Sequence, residues 1–169
     1  MIATVVALAA VALSVMACGS SNATGTETIT GTVTGAAALA GAPAIPLRLA
    51  GPVNTTASIT LGTKKTQNTV VTFKTTDGSL AVRHTRTTTG HELLITCKIR
   101  YVTTATYTVL GGQSTGEFAG ATGSGTLTVT LQGSLPALGN GQCETSSTQP
   151  TQASAVITFH AAGPLTIRK

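Results

Sequence analysis

Aromatic and charged side chains are both scarce in this sequence. Trp is absent, aromatic residues make up 3% of the chain and charged residues 9%, against about 25% charged in an ordinary soluble domain. The formal net charge is nevertheless +5, and most of the excess lies between residues 64 and 100. Proteins that bind single-stranded nucleic acid interleave basic residues with stacking aromatics, so the missing aromatics argue against nucleic acid and leave anionic lipid or wall polymers as partners for the basic face. With 41% hydrophobic residues, charge-driven disorder is also excluded.

Catalytic signatures are equally thin. Asp77 is the only aspartate, and Glu27, Glu92, Glu117 and Glu144 are spread over a strand start, a strand flank and two loops. That distribution does not suggest a paired-carboxylate mechanism. No Gly-x-Ser-x-Gly elbow is present. His84, His91 and His160 stand at no close ligand spacing, so neither a metal nor another cofactor is expected.

What is abundant is Thr, the commonest residue, whose β-branched side chain favours a pleated, half-buried surface. At 169 residues the chain suits one domain, large enough to bury roughly 68–70% of its unfolded surface without a structural metal.

The N-terminus reads as an export signal. Residues 2–15 (IATVVALAAVALSV) are apolar and uncharged, the length of a signal h-region rather than of a spanning helix. Val15, Met16, Ala17 and Cys18 follow and resemble a bacterial lipobox, which implies lipidation of Cys18 and attachment to the outer face of the cell membrane. Val15 and Ala17 also satisfy ordinary signal peptidase, which leaves a plain secretory signal open. The domain boundaries expected are a signal peptide over 1–17, a lipidated cysteine and flexible Gly/Ser/Thr tether over 18–28, and a β domain over 29–169. Of three cysteines, lipidating Cys18 leaves Cys97 and Cys143 as a pair able to form one disulfide, or as two buried thiols.

Downstream, short β runs alternate with turn signals. Strands are expected at 27–34, 46–50 and 57–61. Asp77 and Gly78 are expected to form a two-residue hairpin turn that sets Phe73 opposite Val82 and Val71 opposite His84, with Val71, Phe73, Leu80, Val82 and His84 on one face and Lys74 and Arg83 on the other. HELLITCKIRYV reads as one strand with Leu93, Ile95, Cys97, Ile99 and Tyr101 inward, and 106–110 as its partner. Further strands are expected at 126–131, with Leu127, Val129 and Leu131 inward, at 153–160 and at 165–167. A polar loop over 133–152 carries Cys143. Eight or nine short strands of this kind suit an antiparallel barrel or sandwich.

The passage GGQSTGEFAGATGSGTLTV, with Phe118, Gly120, Ala121, Gly123 and Gly125, resembles a segment of secreted actinobacterial proteins related to the allene oxide cyclase and dirigent barrels. The likeness covers residues 70–132 and implies an all-β, eight-stranded antiparallel barrel of the calycin or allene oxide cyclase type with a lined interior. It carries no catalytic residues onto this chain. The function expected is therefore a non-enzymatic, exported, lipid-anchored envelope barrel that binds a small apolar ligand or serves a structural role, with His84, Tyr101 and Tyr107 as the residues that would face such a ligand. Two alternatives are a cyclase-like or dirigent-like activity inside the barrel, and a surface recognition module built on the loop around Cys143.

Overall fold

The computed structural model describes residues 21–39, 44–60, 69–94, 97–144 and 150–168. The segment expected to be a signal peptide and Cys18 lie outside the described residues. The strands are β1 (Asn22–Thr34), β2 (Ala44–Ala50), β3 (Thr55–Thr60), β4 (Thr69–Thr75), β5 (Gly78–Leu94), β6 (Lys98–Val109), the two-residue β7 (Thr115–Gly116), β8 (Thr122–Ser134) and β9 (Val156–Arg168). Every pairing is antiparallel, and β4 joins β5 while β1 joins β9, so all the strands except β7 close into an eight-stranded barrel. Among the described residues every strand of the wall is paired on both sides, β3 and β4 through Ala57–Thr75 and Ser58–Lys74.

Alternation within each strand builds the core. Ile29 on β1, Leu47 and Leu49 on β2, Phe73 on β4, Leu80 and Val82 on β5, and Leu127 on β8 are buried, as are Phe159, Leu165 and Ile167 on β9. The phenyl rings of Phe73 and Phe159 meet edge to face, 5.9 Å between centroids. One end of the barrel gathers the start of β1, the end of β9, the turn at 51–54, the turn at 76–77 and the segment 110–121. The opposite end carries the short 3-10 helix Gly35–Leu39, Cys97 and the chain between β8 and β9.

The first end is plugged. Phe118, wholly buried, and Ala121, 1% exposed, come from the glycine-rich passage singled out in the sequence. Ser114 pins the plug to the wall, its hydroxyl accepting the Ala81 N–H and donating to the Leu110 carbonyl, both at 3.0 Å. Burying one Phe side chain contributes about 2–3 kcal/mol, which makes Phe118 the anchor of this cap.

Several local expectations shift. Residues 22–28, assigned to the tether by composition, run inside β1 with Asn22 opposite Arg168. The 27–34 strand is longer, and Ser79 faces Lys74 rather than Thr76, so the hairpin turn is Thr76–Asp77 and the register moves by two residues. The reason is Gly78: a Cβ there would stand 2.3 Å from the Thr115 carbonyl, so glycine is needed in the strand, against β7, and not in the turn. An even shift preserves the faces. Phe73, Leu80 and Val82 are buried, while Lys74 and Arg83 are exposed.

HELLITCKIRYV is two strands. β5 continues to Leu94 and β6 starts at Lys98, so Cys97 sits in the reversal with φ +62°, half-exposed instead of inward. Residues 106–110 are accordingly the far half of β6, not its partner. The two short C-terminal runs are one strand, β9.

Candidate functional site

Cys97 and Cys143 form a disulfide with their Cα atoms 5.2 Å apart, within the range a bridge requires. It ties the β5–β6 reversal to the loop between β8 and β9, where the Leu135 N–H also donates to the Cys97 carbonyl at 2.7 Å. The bridge braces the unplugged end and leaves the interior to other residues.

Of the three side chains expected to face a ligand, two meet. His84 on β5 is the direct cross-strand neighbour of Tyr107 on β6, and Tyr107 is 7% exposed. The His84 Nδ1 is buried without a hydrogen-bond partner, and burial pushes its pKa below the ordinary histidine value. It is therefore a neutral imidazole with one polar atom unmet. Tyr101 is on the same interior face of β6, opposite Leu131, but six residues farther along, about 20 Å at roughly 3.3 Å per residue. It belongs to the other half of the barrel. His160 is exposed on the outer wall, and the His91 side chain lies outside the described residues. Among the described residues no three His, Cys, Asp or Glu side chains come together.

The residue that sequence reasoning missed is Glu27. It is 1% exposed and shares the interior face of β1 with Ile29, opposite Gly163 of β9. Its Oε2 accepts the Val53 N–H of the β2–β3 turn at 3.0 Å, and the backbone of Ala50, at the end of β2, also hydrogen-bonds the carboxylate. Its Oε1 has no partner. Burial is the main cause that lifts the Glu27 pKa above the carboxylate range, opposed by the two backbone hydrogen bonds and assisted by the charge of Glu117.

Glu117 comes from the plug, and its Oε1 is likewise buried and unpartnered. Tyr107 completes the group: burial first and the Glu27 charge second raise its phenol pKa. The carboxylates placed separately by the sequence thus converge beneath the plug. A signal for this was present. In the run Thr-Glu-Thr-Ile-Thr, Glu27 has the same parity as the inward Ile29, in a chain with only five acidic residues.

A second feature lies outside the barrel. A groove of about 390 Å³ runs along the wall at the unplugged end, lined by Lys98, Arg100, Gln132, Ser134, Ser154 and Val156. The Ser154 hydroxyl is already engaged with the backbone of Ser134. The chemistry available there is weak attraction for anions. The interior group offers a neutral imidazole, a phenol and two acids with unmet polar atoms, a set suited to orienting a bound molecule by hydrogen bonds. Compared with known proteins, the chain matches no family model, no curated protein and no solved structure.

Proposed function

We propose that this chain is an exported cell-envelope protein, held at the outer face of the membrane by lipid on Cys18, whose barrel binds a small, largely apolar molecule in its interior. The observation that carries the ligand reading is the interior layer containing His84, Tyr107 and Glu27. Buried polar atoms in native proteins are nearly always satisfied by protein, water or ligand, and His84 Nδ1 and Glu27 Oε1 have no protein partner. The surrounding Ile29, Leu49, Val82 and Phe159 are apolar, as expected of a site for a molecule with few polar groups.

The envelope reading has separate support. The Cys97–Cys143 bridge is compatible with an oxidising compartment. Residues 19–21 alone separate Cys18 from β1, a span of at most about 11 Å, so a lipid on Cys18 would hold the plugged end close to the membrane. A diacyl anchor suffices for stable attachment, each buried CH₂ contributing about 0.8 kcal/mol. The barrel is, on this reading, of the allene oxide cyclase and dirigent type, supported by the Phe118-to-Gly125 passage, which supplies both the plug and the start of β8. No reaction is assigned to it.

Replacing Cys18 with Ala tests the anchor. The protein is expected to move from the membrane pellet to the medium, and retention in the pellet would remove the lipid from the account. Co-purified ligand tests the interior.

A further inference from the structure

The charges around Glu27 narrow the chemistry of what the barrel holds. Resting on the reading that the interior takes a small ligand, we propose that this ligand carries an ammonium group, seated between the Glu27 and Glu117 carboxylates beneath the plug. Its apolar part lies among the core side chains.

The first step is the missing counter-charge. Each carboxylate presents a buried Oε1 with no hydrogen-bond partner, and the two acids act on one another. Among the described side chains, the cations Arg48, Lys74, Arg83, Lys98, Arg100 and Arg168 are all exposed. None is buried beside the acids. Burying an uncompensated carboxylate costs several kcal/mol, and a second negative group raises that cost.

The second step is what surrounds Glu27. From the β2–β3 turn comes the backbone bond of Val53, from the end of β2 that of Ala50, from β6 the Tyr107 phenol, and from the plug Glu117. β9 and β8 contribute only Gly163 and Gly125 at this level, and β5 contributes the neutral His84, the cross-strand neighbour of Tyr107. The Val53 N–H occupies Oε2, so the open polar atoms are the two Oε1 atoms and, on the same layer, His84 Nδ1. An ammonium has three donors and no acceptor, which matches that set, and a tyrosine ring attracts a cation above its face. A carboxylate head would add a third negative charge. An alcohol offers one donor to two acceptors.

The affinity should also follow the protonation of the pair. An ammonium binds the ionised acids, and burial makes Glu27 lose its proton late, so binding strengthens as pH rises through the Glu27 titration and weakens below it.

The test uses the secreted Cys18→Ala protein, with the barrel sequence intact, titrated calorimetrically with decylamine, decanol and decanoate below their aggregation limits. Decylamine is expected to bind at least about tenfold more tightly than decanol, the order of one charge-assisted hydrogen bond, and decanoate more weakly than either. Glu117→Gln, on a half-buried plug residue, should remove most of decylamine's advantage, and Glu27→Gln should do the same at pH 8. Equal binding of decanol and decylamine, or preference for decanoate, overturns the ammonium while leaving an interior site in place. No binding by any of the three overturns the interior site itself.

Discussion

Tyr107 and Glu27 are on one interior layer of the barrel, separated only by two glycines: Tyr107 faces Gly125 across the β6–β8 pairing, and Glu27 faces Gly163 across the β1–β9 pairing. The absence of side chains at those two positions lets the phenol lie over β8, with its hydroxyl 2.6 Å from where a Gly125 Cβ would be. The electrostatic coupling between an acid and a phenol that are distant in sequence thus runs across positions with no side chain.

Gly125→Ala is the direct probe of that arrangement. The added methyl would stand 2.3 Å from the Ala162 carbonyl as well as against Tyr107, and neither backbone nor ring can yield freely. Overpacking of this kind costs about 1–3 kcal/mol. A urea titration of the variant is expected to show a midpoint lowered accordingly, with an unchanged slope.

Glu27 makes stability depend on pH in a specified direction. Its folded pKa is raised above the ordinary value of 4.5, so above that pH the folded state holds more protons than the unfolded chain and stability falls as pH increases. Glu27→Gln keeps the shape of the protonated acid and removes the titration. The variant should be more stable than the parent at pH 8, with the difference shrinking toward pH 4. Parallel pH slopes for the two proteins would show that Glu27 is not the group concerned.

His84 acts on the other side. Its folded pKa lies below the ordinary 6.5, so the unfolded chain takes up the proton first and stability is lost as pH falls from about 6.5 toward the folded value. In His84→Gln, thermal unfolding between pH 7 and 5 should lose this component. The parent and the variant should differ in slope, whatever their stability at neutral pH.

The disulfide contributes through the unfolded state. Closing a loop with a sequence separation of 46 residues removes chain entropy worth about 4 kcal/mol in the simplest treatment. Cys143→Ser is expected to lower unfolding free energy by roughly 2–4 kcal/mol, read by chemical denaturation. Reduction of the parent protein should reproduce the same shift.

How much of this was legible in the sequence depended on the range of the interactions. Thr-rich alternation is local, so the β class was readable, as was the Cys97–Cys143 pair once Cys18 was assigned elsewhere. The hairpin around Asp77 was readable to within two residues. Its true register is set by the close approach of Gly78 to Thr115, a contact across more than thirty positions that no local turn rule contains. HELLITCKIRYV kept an unbroken alternation through its reversal, because Cys97 supplies the positive φ that a glycine would ordinarily announce. Residues 22–28 have the composition of a linker, yet pair along β9, since a barrel must close. Glu27 was the costliest omission: its parity with Ile29 marks the inward face, but the partners that give it a role, Tyr107 and the plug's Glu117, are distant in sequence.

The most direct test of the central claim, that the barrel interior is a binding site, is native mass spectrometry of the secreted Cys18→Ala protein, with organic extraction of whatever accompanies it. The account predicts a reproducible adduct of one small molecule per chain, lost on unfolding and reduced in abundance by Glu27→Gln. A clean apo mass, with nothing extracted, would contradict it and identify the barrel as a packed structural domain.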